Sequence, residues 1–209
     1  MTTRLPREHR EQQAQREQQA QQAQQARSPL LIRGMTADDC EAVAVVRVRG
    51  WQFAYAGLIP QPYLDAMDAG EDAVRRRAHF AAGRGRVFNI VAERDGAVIG
   101  WACCGPYRPD VPRTGDGELY ALYVLPEHLS TGAGRALMAE ALAWAGAAGH
   151  RVLRLWVLEG NARARRFYER CGFAADGAEE PFDVGGVSVP EVRYARRLSA
   201  SDAAAASAG

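Results

Sequence analysis

Residues 123–142 read YVLPEHLSTGAGRALMAEAL, and the parsing of this stretch decides the fold. An apolar run, 118–125, ends at Pro126, which cannot donate to a strand ladder and marks a strand end. A short polar loop follows, then apolar residues at helical spacing over 132–148. Gly132 and Gly134 lack a Cβ, so they tolerate positive φ and let a ligand approach the backbone. Ser130 and Thr131 are placed to cap the helix or to bond an oxyanion. Arg135 adds a charge at the positive end of the helix dipole. A strand, an open glycine turn and a helix N-terminus together favour a bound phosphate. Two familiar nucleotide patterns do not fit. There is no GxxxxGK[ST], and the third glycine of GxGxxG would fall on Leu137.

Working outward, residues 87–105 hold two β-rich runs around Asp95-Gly96, a hairpin signal. The chain opens with a strand at 30–35. A helix follows over 36–55, with Thr36 as N-cap, Asp38 and Asp39 in its first turn, and Cys40, Val43, Val46 and Gly50 at helical spacing. A proline-broken connection (58–67) and a short helix closed by Gly83 come next. Downstream lie a strand at 151–158, a helix at 161–172, and strands near 174–177 and 189–198. Asn161 caps that helix, whose Ala164, Phe167, Tyr168 and Cys171 share one face, with Gly172 closing it. The order β-α-(α)-β-β-β-α-β-α-β-β predicts an α/β chain with a mixed sheet and helices on both faces, not a doubly wound parallel fold. Two successive β-α units ending in open turns leave a gap where ligands enter such sheets.

The chain has 209 residues, 47% hydrophobic and 24% charged, enough for one buried core. We read a Gln-rich low-complexity arm over 1–28, one domain over 29–198 and a tail over 199–209. A net charge of +1 gives no prior for nucleic acid. No apolar run suits a membrane span, and the polar N-terminus lacks a signal-peptide core, so the expected location is cytoplasmic. Cys40, Cys103, Cys104 and Cys171 match no zinc or disulfide spacing and read as reduced, buried residues. The four histidines form no metal motif, so no metal is expected.

The segments LYVLPEHLSTGAGRALM (122–138) and NARARRFYERCGF (161–173) together resemble the GNAT superfamily of acyl-CoA-dependent N-acetyltransferases. The opening IRGMTADDCEAVAVVRVRGWQFAYAGLIP (32–60) is similar to a bacterial subgroup, so the resemblance spans about 30–198. It implies a mostly antiparallel sheet of about seven strands with splayed central strands. It also implies acetyl-CoA as co-substrate, and direct acetyl transfer in a ternary complex to a primary amine, small or peptide. A homodimer is compatible with it. The pyrophosphate loop then comprises Leu129, Ser130, Thr131, Gly132, Ala133, Gly134 and Arg135. Leu129 stands where the family usually has Gln or Arg, and Ser130 where it often has Gly, so weaker cofactor affinity is expected. The backbone at Tyr123 and Val124 matches the positions that hold the pantetheine and the acetyl carbonyl.

The resemblance also assigns Glu118, fourteen residues before Gly132, as general base. Tyr168 is assigned as the acid that protonates the leaving thiolate. A carboxylate among apolar neighbours has a raised pKa. Strand alternation puts Glu118, Tyr120 and Leu122 on one face, and Leu119, Ala121 and Tyr123 on the other. Asn161 touches the pantetheine or positions its loop, beside its simpler role as a cap. Trp51, Phe53, Tyr55 and the 57–64 segment fall on the acceptor side, with the loop before Glu118 at its entrance. A catalytically silent acyl-CoA-binding or regulatory module is the alternative, and the presence of both Glu118 and Tyr168 argues against it. A nucleotide phosphotransferase would call for a lysine and metal-binding carboxylates that this pattern lacks.

Overall fold

In the computed structural model, residues 29–83, 85–108, 115–199 and 202 are described. The Gln-rich arm, most of the tail and residues 109–114 lie outside them. Strand β1 (Leu31–Gly34) leads through a 3-10 turn (Ala37–Asp39) into α1 (Cys40–Ala54). The expected cap is built as a box. Asp39 Oδ2 accepts from the Thr36 N–H (2.7 Å) and the Thr36 hydroxyl (2.9 Å), while the Arg33 guanidinium donates to both Asp39 oxygens (2.7 and 2.8 Å). Short α2 (Gln61–Asp65) starts on a proline turn, and α3 (Ala69–Ala82) is capped by Asp68, which accepts from the Glu71 N–H at 2.8 Å.

Strands β2 (Phe88–Arg94) and β3 (Ala97–Pro106) form the expected hairpin. Asp95 and Gly96 both sit at positive φ (53° and 75°), the geometry that suits a two-residue turn between twisted strands. After β4 (Gly117–Val124) come α4 (Ala133–Ala147), β5 (Val152–Leu158), α5 (Ala162–Arg170), β6 (Ala174–Val184) and β7 (Val187–Arg197). The last two form a long hairpin. β6 extends seven residues past the 174–177 stretch that the sequence suggested, because Phe182 and Val184 find a buried face against Trp51 and Leu64.

The seven strands run in the order β1-β2-β3-β4-β5-β7-β6. Every neighbouring pair is antiparallel except β4 and β5. That parallel pair is bonded only at Gly117–Leu153 and Glu118–Arg154, and beyond it the two strands splay apart. One face of the sheet is covered by α4 and α5. There Leu137, Met138, Ala141 and Leu142 pack on Ala102, Leu119, Leu153, Leu155 and Tyr194. The other face is covered by α1, through Cys40, Val43 and Val46 on Val91, Trp101 and Cys103. All four cysteines are free thiols, three of them buried in these layers.

One expectation about β4 is overturned. The register against β3 shifts between Cys103 and Cys104, which pair with Ala121 and Leu119, so Tyr120 is an extra, bulged residue. A bulge resets the alternation. Leu119, Leu122 and Val124 therefore all face α4, while Ala121 and Tyr123 face α1. Glu118 shares the α1 face with Ala121 and Tyr123, not with Leu122. The bulge thus turns the carboxylate towards the same side as Tyr123.

Candidate active site

The loop before α4 is shaped by backbone rather than by its hydroxyls. Gly132 is the N-cap at φ 96° and Ser130 also has positive φ (65°). Neither Ser130 nor Thr131 caps the helix; the Thr131 hydroxyl instead donates to the His128 carbonyl at 2.8 Å. The first bond of the α4 ladder runs from the Ala136 N–H to the Gly132 carbonyl (3.0 Å). The N–H groups of Ala133, Gly134 and Arg135 therefore have no helical partner. On the sheet side of the loop, the buried Arg94 donates to the Thr131 carbonyl at 3.4 Å.

A cavity of about 540 Å³ opens in front of this loop. Of the residues that the sequence reading assigned to the cofactor, Tyr123, Val124, Leu129, Ser130, Gly132, Gly134, Arg135 and Asn161 line it. Thr131 and Ala133 do not: the first turns back on His128, and the second has its methyl in the core. Phe53, expected on the acceptor side, lines this cavity as well, because α1 carries it two residues from Trp51 and so onto another helical face. Arg163 and Arg170 of α5 add two cations that no motif flagged. They stand four residues before and three residues after Phe167, so helical spacing puts them beside it on the cavity-facing side of α5.

A second cavity, of about 350 Å³, lies on the α1 face of the sheet. Trp51, Tyr55 and Glu118 line it, as does Arg108, the first residue of the loop that the sequence reading put at the acceptor entrance; Trp156, Glu180, Phe182 and Glu191, which that reading missed, line it too. The signal for Glu191 was present: Val192 and Tyr194 are core residues, so alternation along β7 puts Glu191 and Arg193 on the opposite face. Glu118 accepts a long bond from the Arg108 N–H (3.3 Å), and the Arg108 guanidinium pairs with Glu180 and stacks over Trp156 at 4.9 Å. Burial pushes the Glu118 carboxyl above the usual carboxylate range, opposed by Arg108. Burial, then the charges of Glu180 and Glu118, push Glu191 up to about 7.

The two cavities share Ala54, Leu122, Tyr123, Asn161, Ala164 and Tyr168. They meet where β4 and β5 part. Tyr123 and Tyr55 share a hydrogen bond between hydroxyls at 3.0 Å. Asn161 is 9% exposed; its side-chain oxygen accepts from the Ala164 N–H (3.1 Å), so it is an N-cap at the junction. Tyr168 stands on the last turn of α5 and lines both cavities, and burial raises its pKa well above that of a free phenol. Among the described residues no group of three or more His, Cys, Asp or Glu side chains is placed to hold a metal.

The sequence profile of the acetyltransferase (GNAT) family matches residues 51–173, more than half of the chain, and includes both the loop and Tyr168. This chain belongs to the GNAT acetyltransferase family. It is 32% identical over 162 residues to the uncharacterized N-acetyltransferase YuaI of Bacillus subtilis, a match covering 77% of this chain and 89% of that protein. Its fold is that of the PaiA N-acetyltransferase of Thermoplasma acidophilum solved with coenzyme A (TM-score 0.66, 20% identity, 81% of this chain and 99% of that one). It is also that of YncA of Salmonella typhimurium solved with acetyl-CoA (TM-score 0.64, 23% identity, 82% and 95%). For a GNAT chain the splay between β4 and β5 is the family's own sheet geometry, and the general reaction is acetyl transfer to an amine. Among the described residues no helix is long and apolar enough to cross a membrane.

Proposed function

We propose that this GNAT enzyme transfers the acetyl group of acetyl-CoA directly to a primary amine held in the second cavity. The observation that carries the reading is the junction. A cavity rimmed by unpartnered helix N–H groups and arginines meets a cavity lined by carboxylates and aromatic rings, with Tyr123, Asn161 and Tyr168 at the contact. The diphosphate of acetyl-CoA sits against the N–H groups of the 132–135 turn, with Arg135, Arg163 and Arg170 around it. Replacement of the usual Gln or Arg by Leu129 removes a side chain but not the backbone donors. Arg94 supplies positive charge from behind the loop. The edge of β4 beyond Glu118 has no strand partner on the β5 side, and the pantetheine amides fill that vacancy at Tyr123 and Val124.

Chemistry at the junction follows from the groups present. The acceptor enters as an ammonium and gives its proton to the Glu118 carboxylate, whose raised pKa makes it a competent base. The neutral nitrogen attacks the thioester carbonyl, the N–C bond forms, and the C–S bond breaks. Tyr168, kept protonated by burial, hands its proton to the departing thiolate, and its phenolate takes back the second proton that the nitrogen sheds as it becomes an amide. No cysteine is needed: Cys103 and Cys104 are buried strand residues, and burial holds the Cys103 thiol up at about 12. A silent acyl-CoA-binding module would have no use for a carboxylate-lined acceptor cavity opening on the thioester. The domain is the 29–198 unit. The test is to incubate the protein with acetyl-CoA and a panel of amines and look for acetylated products by mass spectrometry. Acetylated amine supports the reading; acetyl-CoA binding with no acetylated amine from any class refutes it.

A further inference from the structure

Among the described residues that line it, the acceptor cavity holds three carboxylates, Glu118, Glu180 and Glu191, against one cation, Arg108. Arg108 is committed: it pairs with Glu180 through its guanidinium and meets Glu118 through its backbone N–H. Glu191 makes no hydrogen bond or ion pair with any described residue, although it lines the cavity on the inner face of β7. It pairs across the ladders with Leu158 on one side and Glu180 on the other. Glu118 pairs at Arg154, four residues earlier on β5, so the two carboxylates spring from rungs about 13 Å apart at a strand rise of about 3.3 Å per residue. The cavity therefore has two acidic ends.

The end at Glu191 is also aromatic. Phe182 lies on the same face of β6 as Glu180, two residues on, and its ring meets Trp51 at 6.2 Å. Trp51 in turn meets Tyr55 edge-on at 5.0 Å. A carboxylate with no hydrogen-bond or ion-pair partner among the described residues, in a cavity also lined by Trp51, Tyr55 and Phe182, is chemistry that holds a cation: Coulomb attraction and cation–π attraction act together where water is scarce. A monoamine does not balance this cavity. Once its nitrogen has passed its proton to Glu118, and with Glu180 paired to Arg108, Glu191 is left as the lining carboxylate with no cation paired to it among the described residues.

We propose that the acceptor is a molecule with at least two amines, whose non-reacting ammonium is held by Glu191 in the cage of Trp51, Tyr55 and Phe182 while the other amine is acetylated. This rests on the acetyl-transfer reading and narrows it to dicationic and polycationic amines. The groups facing Glu191 are Glu180 on β6, Glu118 on β4, Arg108 beyond β3, and the phenols of Tyr55 on α1 and Tyr123 on β4. Burial and the two carboxylates hold Glu191 at about 7 in the empty cavity. A bound ammonium favours its ionised form, so at neutral pH a second amine drives a proton off Glu191 as it binds.

The test compares straight-chain diamines, from propane to hexane diamine, with monoamines of equal length in CoA-release kinetics on the full-length protein and its Glu191→Gln variant. We expect the diamine kcat/KM to exceed the monoamine value by about tenfold or more, mainly through KM, the scale of one close charge pair. Glu191→Gln should shrink that ratio by about tenfold. A ratio near one in the unmodified protein, or a variant that lowers both amines by the same factor, overturns the proposal. If no amine at all is acetylated, the acetyl-transfer reading fails by itself. Calorimetric titration of the CoA-saturated protein with hexane diamine then decides the cage. Binding weakened about tenfold by Glu191→Gln, with proton release lost, supports it; no diamine binding, or equal binding by both proteins, overturns it.

Discussion

Glu118 and Tyr168 carry the proposed proton transfers, and each gives a distinct signature. The base must be ionised to act, so kcat/KM rises with pH through the Glu118 pKa, which burial holds above the usual carboxylate range. Glu118→Gln should lower kcat by about a hundredfold and abolish that acidic limb; an unchanged pH profile would reject the role. Tyr168→Phe removes one oxygen from the wall that the two cavities share and should leave the fold and acetyl-CoA affinity in place. Its expected effect is a fall in kcat of about a hundredfold, read by steady-state kinetics. Both residues were legible in the sequence because they lie in or near the motifs that mark the family. Glu191 and Glu180 were not, and Arg108 was legible only as part of the loop before Glu118. The two glutamates come from a late hairpin, and only the pairing of β5 with β7 brings that hairpin to the side of the sheet where Glu118 stands. The Tyr120 bulge was illegible for a different reason. An extra residue in one strand is defined by its partner's register, and no local feature of GELYALYV announces it.

At the level of elements, two contacts set where the site stands. The turn before α1 is fixed by the Thr36–Asp39 box and its bidentate Arg33 pair. The Arg33 bonds, opposed by burial and aided by the Thr36 donors, hold the Asp39 carboxyl down at about 2. Its pKa is lowered in the fold, so its stabilisation is complete above the ordinary carboxylate value and is lost as pH falls through about 2. Asp39→Asn should cost about 1–3 kcal/mol at neutral pH in chemical denaturation, and the penalty should fade as the solution approaches that acidic range. The second contact is the approach of α1 to β4. A Cβ on Gly50 would stand 2.9 Å from Cδ1 of Tyr123. Gly50→Ala should therefore destabilise by about 1–3 kcal/mol and also raise the KM for the acceptor, since Tyr123 and Tyr55 form one wall of the junction. The helical spacing that places Gly50 under Cys40, Val43 and Val46 was plain in the sequence. Its role as a gap for an aromatic ring needed the sheet.

Across the whole molecule, the order of strands and helices followed from hydrophobic periodicity and turn residues, and the mixed sheet with helices on both faces agrees with it. What periodicity does not encode is the brevity of the β4–β5 ladder, two rungs, which makes the sheet a passage as well as a core. In the proposed reaction acetyl-CoA and the amine reach that passage from the two cavities and occupy it together, with direct transfer as the kinetic consequence. The most direct test is initial-velocity measurement of CoA release with acetyl-CoA and amine both varied. The account predicts double-reciprocal lines that intersect, the pattern of a ternary complex. Parallel lines with an acetylated protein intermediate, or no amine-dependent release at all, would contradict it.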